Sequence, residues 1–213
     1  MQRVTVIDYG IGNLLSVARA FEHCGASVLL TDDVRKIADA DYLVLPGVGA
    51  FADGMLGLTE RRLVEPIKKF AAKGRPFLGI CLGMQMMLDE SEEFGANAGL
   101  GLISGKVVAI PRVGNDGTPH KIPHIGWNNI CLPESVSWKG TILGNILPES
   151  SFYFVHSFSA VPTHHDQRLA DCYYNGQLIA AAIRKGNVYG CQFHPEKSGR
   201  DGLNILKCFL EIA

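Results

Sequence analysis

The first half of the chain alternates apolar runs with amphipathic segments, and this alternation constrains the fold more than any other feature of the sequence. The apolar runs are short enough for strands, whereas the segments between them repeat apolar side chains at helical spacing. Asn13 and Thr59 are expected to cap the helices that follow them. Strands that alternate with helices form a parallel sheet covered on both faces. Predicted strands lie at 4–7, 27–30, 42–45 and 76–80, and predicted helices at 14–24 and 59–71.

The second half has strands closer together and more frequent turn residues, which favours antiparallel pairing. Leu203, Leu206 and Leu210 recur at helical spacing and predict a closing amphipathic helix. We therefore expect one domain over 1–213, with an α/β, flavodoxin-like sheet that is mostly parallel and has additional antiparallel strands in the C-terminal half. The predicted antiparallel strands are 107–110, 151–155, 178–183 and 188–193.

Composition excludes several classes of protein. The formal net charge of the 213 residues is -1, whereas proteins that track phosphates carry a basic excess, so we expect no nucleic-acid partner. No run approaches the ~18 apolar residues of a membrane span, and the first strand begins without a signal-like segment, which predicts a cytoplasmic protein. The six cysteines are irregularly spaced without a C-x-x-C pair, so no metal is predicted and five of them are expected to be reduced core residues.

The sixth cysteine lies in Gly79-Ile80-Cys81-Leu82-Gly83, between a predicted strand and a predicted helix running to Leu88. This is the glycine-flanked nucleophile elbow with cysteine in place of serine. The turn would raise Cys81 to the carboxyl edge of the sheet, where a helix N-terminus stabilises a thiolate. The Leu82 N–H would then donate to a developing oxyanion. The alternative is a buried cysteine in a tight turn.

A base and its orienting group follow from His194-Pro195-Glu196, at the end of the last predicted strand. Pro195 biases His194 toward an extended conformation, in which residues two apart point the same way. Glu196 would then hold the His194 imidazole and leave the other ring nitrogen to take the thiol proton. A strand-end histidine in a turn is the plainer alternative.

Residues 79–85 and 192–196 together resemble the class I, triad-type glutamine amidotransferases. The resemblance implies that Cys81 attacks the side-chain amide of glutamine, with His194 as acid and base and Glu196 as its orienter. A γ-glutamyl thioester would form, ammonia would leave, and water would release glutamate. The resemblance implies no cofactor.

Four further segments are similar to the HisH family, the glutaminase subunits of imidazole glycerol phosphate synthase. That family implies L-glutamine as substrate and a HisF-type (β/α)₈ cyclase as heterodimer partner. Ammonia would pass to the cyclase for formation of imidazole glycerol phosphate and AICAR in L-histidine biosynthesis. The segments are 8–14, 45–49, 123–128 and 153–158.

The resemblance assigns roles position by position, and some keep a plainer alternative. Gln85 could be a solvated helix residue, Glu93 a helix-end charge, and Trp127 a core residue instead of an interface anchor. The oxyanion hole would use Val48 and Leu82; glutamine binding would use Gly49, Gln85, Glu93, Ser157 and Phe158; the partner interface would use Tyr9, Asn13, Trp127 and Lys197.

Other functions remain open at this point. Ile125, Ser157-Phe158 and the long loop 114–121 depart from the family pattern, so a HisH-like paralogue serving a HisF-like partner in surface-glycan biosynthesis is a second hypothesis. A pyridoxal phosphate synthase glutaminase, a γ-glutamyl hydrolase and a non-enzymatic binding module are further alternatives. Residues 47–52 also match a dinucleotide fingerprint, but they follow the third predicted strand instead of the first.

Overall fold

The computed structural model describes residues 2–134 and 136–212. Within them lie a seven-stranded sheet, a four-stranded sheet and a two-stranded ribbon. The strands are Arg3–Ile7 (β1), Ser27–Thr31 (β2), Tyr42–Gly47 (β3), Phe77–Cys81 (β4), Glu90–Ser91 (β5), Asn97–Ala98 (β6), Gly105–Ala109 (β7), His124–Asn129 (β8), Ser151–His156 (β9), Phe158–Pro162 (β10), Arg168–Tyr174 (β11), Gln177–Lys185 (β12) and Val188–Cys191 (β13). The helices are Leu14–His23 (α1), Val34–Ala38 (α2), Phe51–Glu60 (α3), Val64–Ala72 (α4), Leu82–Gln85 (α5) and Gly199–Leu210 (α6), with 3-10 turns at His165–Gln167 and Pro195–Lys197.

The seven-stranded sheet has the order β11-β12-β13-β4-β3-β1-β2. The five strands from β13 to β2 pair in parallel, and β12 is antiparallel to both of its neighbours. The predicted fold class, a mostly parallel sheet with antiparallel strands in the C-terminal half, is therefore confirmed. The carboxyl ends of β3, β4 and β13 lie side by side, and open α/β sheets bind ligands at this edge.

Two hydrophobic clusters cover the two faces of this sheet. Helices α1 and α6 contribute Phe21 and Phe209 to one cluster, and their rings meet edge to face at 6.0 Å. Helices α3 and α4 contribute Leu58 and Phe70 to the other. Since β3 and β4 are covered on both faces, their sequences are nearly continuous apolar runs.

The remaining strands lie outside the main sheet. β7 pairs antiparallel with β10 in the four-stranded sheet, and β8 pairs antiparallel with β9 in the ribbon. Burial alternates along β9, as expected for a strand with one face on the core. On β8 the outward side chains include Ile125 and Trp127, which are 58% and 59% exposed.

Several local predictions were wrong. Thr59 does not cap a helix: it lies inside α3, which the sequence analysis missed, and its Oγ1 donates to the Met55 carbonyl. Asn13 occupies the N-cap position of α1 but makes no capping hydrogen bond with its side chain. The helix after Cys81 ends at Gln85 instead of Leu88. β13 pairs in parallel with β4, although it is antiparallel to β12 as predicted.

One more helix and five strands were not predicted from the sequence, namely α2, β5, β6, β8, β10 and β11. Helix α2 has a strong local signal, because the Asp33 carboxylate accepts hydrogen bonds from the backbone N–H groups of Arg35 and Lys36. Among the described residues, no helix combines the length and apolar character that crossing a bilayer requires.

Candidate active site

Cys81 ends β4 and immediately precedes α5, as the elbow motif predicts. Its backbone lies at φ 55° and ψ -111°, a conformation that costs a non-glycine residue about 1–3 kcal/mol and persists only where the surroundings impose it. Close packing at the two flanking glycines holds the Cys81 backbone in this conformation. A Cβ at Gly83 would overlap the Leu45 carbonyl oxygen of β3, and one at Gly79 would lie 2.7 Å from the Gly83 carbonyl oxygen.

Two groups contact the Cys81 sulfur directly. The Sγ atom lies 3.8 Å from the Val155 carbonyl oxygen, to which the thiol can donate, and 3.7 Å from Gln192 Nε2, which donates to it. Helix α5 has four residues, so its dipole is weaker than the predicted longer helix would supply. Leu82 is the first residue of α5, and its N–H therefore has no acceptor within the helix.

His194 and Glu196 form the second half of the site. His194 Nδ1 lies 2.7 Å from Glu196 Oε1, and the two side chains are 3% and 1% exposed. The backbone N–H of His194 donates to the Tyr153 carbonyl at 3.0 Å, and Ser198 Oγ donates to the His194 carbonyl at 2.7 Å. The contact between the two residues was predicted, but its cause was not, because Glu196 lies in a 3-10 turn instead of an extended strand.

The pKa of His194 depends on its burial and on two neighbouring side chains, Cys81 and Glu196. Burial lowers the pKa of His194, but the adjacent Cys81 and Glu196 raise it by more, to about 9. His194 Nε2 is buried and makes no other hydrogen bond, and it is the ring nitrogen left to interact with the neighbouring Cys81. An imidazole held at Nδ1 and unengaged at Nε2 is positioned to exchange a proton with a nucleophile.

A cleft of about 350 Å³ opens beside Cys81. It brings together all seven residues assigned to the oxyanion hole and to glutamine binding, along with Pro123, Val155 and His156, which the sequence analysis did not assign. The cleft is lined by Val48, Gly49, Cys81, Leu82, Gln85, Glu93, Pro123, Val155, His156, Ser157 and Phe158.

Gln85 is fixed by contacts that its plainer alternative does not include, whereas the contact of Glu93 is that of a charge at the start of a helix, α3. Gln85 is 5% exposed, and its Nε2 donates to the Phe158 carbonyl and to Gln192 Oε1, both at 3.0 Å. The alternative of a solvated helix residue is therefore wrong. Glu93 Oε2 accepts from the Phe51 N–H at 2.7 Å, at the start of α3. These bonds hold both side chains against the cleft and leave Gln85 Oε1 as the atom that can meet a ligand.

The segment 46–49 lines the cleft with Val48 and Gly49 and packs against the start of α5 through Gly47. Tyr9 lies beneath it, and its hydroxyl donates to the Pro46 carbonyl at 2.8 Å. Burial and the nearby Cys81 raise the pKa of Tyr9 above its usual range. Gly49 adopts φ +92°, in the left-handed region that favours glycine, with open space around its α-carbon.

The residues assigned to the partner interface divide into two groups. Asn13, Trp127 and Lys197 are exposed, whereas Tyr9 is 1% exposed. Assigning Tyr9 to the interface was therefore wrong, because its ring packs under the cleft wall and its hydroxyl is committed to Pro46. Trp127 is 59% exposed and rests edge to face on Tyr153, so the alternative of a core residue is also wrong.

Two buried histidines form a pair at the cleft, which His156 lines, and this pair was not predicted from the sequence. His156 Nδ1 lies 2.8 Å from the Phe158 carbonyl and must donate to it, which leaves His156 Nε2 to accept from His124 Nδ1 at 2.9 Å. His124 Nε2 in turn accepts from Asn128 Nδ2 at 3.3 Å. Burial lowers the pKa of His156 to about 3 and that of His124 to about 4, so both are neutral.

The other cysteines take no part in the site. Cys172, Cys191 and Cys208 are buried, as predicted, while Cys24 and Cys131 are only half-buried; all are free thiols. Burial raises the pKa of the Cys172 and Cys191 thiols above their usual range, so both remain protonated.

Comparison with known proteins agrees with the geometry of the site. Residues 5–212 match the family described as glutamine amidotransferase class-I. The chain is 60% identical over 213 residues to imidazole glycerol phosphate synthase subunit HisH 1 of Legionella pneumophila (strain Lens), covering 100% of both chains. It is 45% identical over 209 residues to subunit HisH of Geobacillus sp. (strain WCH70), covering 98% of this chain and 96% of the relative.

Solved structures share the fold at low identity. A structure described as a glutamine amidotransferase superposes with a TM-score of 0.71 at 16% identity, covering 98% of this chain and 97% of the other. The structure of PurLQS from Thermotoga maritima superposes with a TM-score of 0.70 at 20% identity, covering 99% and 98%.

Proposed function

Because the chain belongs to the class-I glutamine amidotransferases and, within them, to the HisH subunits of imidazole glycerol phosphate synthase, we propose that it hydrolyses L-glutamine for L-histidine biosynthesis. One observation carries the proposal. His194 is held at Nδ1 by Glu196 at 2.7 Å, is coupled electrically to Cys81, and has no other partner at Nε2. A thiol, an imidazole and a carboxylate in this order are what acyl transfer through a thioester needs.

The reaction proceeds with the Cys81 proton on His194 Nε2, an arrangement that the raised pKa of His194, about 9, favours. The sulfur attacks the side-chain carboxamide carbon of glutamine, a C–S bond forms, and the carbonyl oxygen becomes an oxyanion. The N–H of Leu82 is free at the start of α5 and donates to this oxyanion, and we assign the second donor to Val48, which lines the same cleft. His194 returns its proton to the departing nitrogen, so the C–N bond breaks and ammonia leaves.

Water completes the cycle. His194 takes a proton from water, the hydroxide adds to the thioester carbon, and the C–S bond breaks to release glutamate and the thiolate. The net reaction converts glutamine and water into glutamate and ammonia. Glu196 stabilises the imidazolium that forms in both halves of the reaction, because its carboxylate is 1% exposed and lies against Nδ1.

The cleft offers groups for the amino-acid end of the substrate. Glu93 supplies a carboxylate and Gln85 a free carbonyl oxygen, both suited to an α-ammonium group. Ser157 and Phe158 lie at the bend between β9 and β10 and line the same cleft. We assign these four residues and Gly49 to glutamine binding.

Ammonia then requires an acceptor enzyme, and we propose a HisF-type (β/α)₈ cyclase that uses it to form imidazole glycerol phosphate and AICAR. Ile125 and Trp127 project from β8 into solvent, and an exposed tryptophan is a common binding anchor. Asn13 and Lys197 are also exposed and are assigned to this interface.

The free thiols of all six cysteines support a cytoplasmic location, where thiols stay reduced.

The test is release of glutamate from glutamine by the full chain, with and without the cyclase and its nucleotide substrate. We expect turnover that the cyclase stimulates and that Cys81→Ala abolishes. Cys24→Ala is the matched control, because it removes a half-buried thiol at the end of α1 and should leave turnover unchanged. Turnover without stimulation would point to a different acceptor enzyme, and turnover that survives in Cys81→Ala would overturn the proposed chemistry.

A further inference from the structure

Gln192 follows β13 and precedes Phe193, and no part of its side chain reaches solvent. Its backbone N–H donates to the Ala181 carbonyl at 2.9 Å, which fixes the main chain at this position. A buried carboxamide is costly unless each polar atom has a partner. Gln192 meets this requirement with two contacts that both lead into the active site: its Oε1 accepts from Gln85, and its Nε2 donates to Cys81 Sγ.

The orientation of the Gln192 amide follows from its neighbours. The Phe158 carbonyl can only accept, so the Gln85 atom 3.0 Å from it must be the amide nitrogen. That same nitrogen lies 3.0 Å from the Gln192 side chain, whose near atom is therefore the oxygen. The far atom of Gln192 is then the NH₂ group, and it lies 3.7 Å from the sulfur. The Phe158 carbonyl therefore determines, through Gln85, that Gln192 presents its amide nitrogen to the Cys81 sulfur.

We propose that Gln192 is a catalytic residue that donates a hydrogen bond to the Cys81 thiolate, an inference that rests on the proposed thioester chemistry. A hydrogen bond to an ionised acceptor is stronger than one to a neutral acceptor, so the amide favours the thiolate over the thiol. When His194 has taken the proton, the positive imidazolium and the Gln192 amide stabilise the same sulfur.

The role recurs in the second half of the reaction. In the thioester the sulfur is neutral and the hydrogen bond is weak, whereas hydrolysis returns the electron pair of the C–S bond to the sulfur. The amide is then in place to stabilise the leaving thiolate. Gln85 is a positioning residue in this arrangement, since it orients Gln192 through the bond to Oε1.

Gln192→Met tests the proposal because methionine has a similar length and no amide. Gln192→Glu is a second variant that places an acceptor-only group beside the sulfur. Gln177 provides the matched control: it lies in the β11–β12 hairpin, and its Nε2 donates to the Val113 carbonyl at 3.1 Å. Gln177→Met removes an equivalent bond from a remote site and is expected to behave as the wild type.

The main measurement is the rate at which iodoacetamide alkylates Cys81 in the full chain at a series of pH values, followed on the Cys81 peptide by mass spectrometry. We expect Gln192→Met to move the midpoint of the profile up by about one pH unit, which corresponds to about tenfold slower alkylation below the midpoint. Gln192→Glu should move the midpoint further in the same direction. In the complex with the cyclase, kcat should fall about tenfold in Gln192→Met with little change in KM.

The outcomes separate this proposal from the proposed function. An unchanged alkylation profile and unchanged kcat in Gln192→Met would overturn the role of Gln192 while leaving the glutaminase intact. A shifted profile in a chain that releases no glutamate would support the Gln192 contact and reject the glutaminase. If the Gln192 variants do not fold, a measurement on the wild type tests the same contact. The signal of the Gln192 side-chain amide in an ¹⁵N spectrum should shift as the pH is raised through the alkylation midpoint of Cys81. Loss of that movement is expected in Cys81→Ala, and no movement in the wild type would overturn the proposal.

Discussion

Replacing His156 by glutamine should flatten the acid side of the stability profile. His156 and His124 are 6% and 2% exposed. His156 Nδ1 donates to the Phe158 carbonyl, and His156 Nε2 accepts from His124 Nδ1. A second proton on His156 would place two donors against each other at 2.9 Å. Burial lowers the pKa of His156 to about 3 and that of His124 to about 4, against 6.5 in an unfolded chain.

The sign and size of the effect follow from these values. Because the folded pKa values lie below the unfolded value, the unfolded chain binds protons first as the pH falls below 6.5. The stability contribution is thus present above pH 6.5 and is lost as the pH falls toward the folded values. Between about pH 7.5 and about pH 5, each buried histidine lowers the free energy of unfolding by about 2 kcal/mol, and the pair by about 4 kcal/mol.

The assay is urea unfolding, followed by circular dichroism across this pH range. His156→Gln keeps a donor for the Phe158 carbonyl and an acceptor for His124, but it cannot titrate. The free energy of unfolding of this variant is expected to fall by about 2 kcal/mol less than that of the wild type over the same interval. His164→Gln removes an exposed histidine and serves as the control. Identical slopes for the wild type and His156→Gln would refute the assignment of a neutral, hydrogen-bonded pair.

Three further substitutions test the site and its surroundings. Glu196→Gln should keep the shape of the contact at His194 Nδ1 but lower kcat for glutamate release by about 10³ to 10⁴, and a loss under tenfold would contradict its role. Gly83→Ala places a methyl group on the Leu45 carbonyl oxygen, so the unfolding free energy should drop by about 1–3 kcal/mol together with turnover; a fully active variant of wild-type Tm would show that the elbow has room. Trp127→Ala should leave the unfolding free energy unchanged and weaken binding of the cyclase by at least about 30-fold in calorimetry. Leu178 is also exposed, and Leu178→Ala should not weaken binding. Equal affinity for both variants would show that the interface lies elsewhere.

The backbone positions of the candidate catalytic residues and the contact between His194 and Glu196 could be predicted from the sequence because their signals are local. The elbow around Cys81 and the His194-Pro195-Glu196 segment each place their side chains within a few residues of chain. The backbone that makes the contact differs from the predicted one, since Glu196 reaches His194 through a 3-10 turn and not through an extended strand. A short peptide can specify a contact without specifying the backbone that makes it.

Helix α3 escaped prediction because two of its ten residues are among the weakest helix formers. Gly54 and Gly57 are required by packing: a Cβ at Gly54 would lie 2.7 Å from Met86 Sδ, and one at Gly57 would lie 2.7 Å from the Tyr9 carbonyl oxygen. The tertiary contact thus overrides the local propensity. The same contact buries Tyr9, which had been assigned to the partner interface.

Gln192 and the histidine pair could not be assigned roles from the sequence, because their partners are distant along the chain. Gln192 lies 111 residues from Cys81, and His124 lies 32 residues from His156. One signal was available: a polar residue between Cys191 and Phe193 in an apolar strand needs a hydrogen-bond partner if it is buried. That signal identifies a residue to examine, but only the fold identifies the partner.

The close approach of Gly83 to Leu45 has a consequence for how this protein can change over generations. Any side chain at position 83 would push β3 away, and β3 leads directly into segment 46–49 of the cleft wall. The elbow and segment 46–49 therefore constrain each other, because a substitution at Gly83 would displace both. A library that seeks a new amide substrate should keep positions 79 and 83 as glycine and vary Ser157 and Phe158, which line the cleft away from the elbow in sequence.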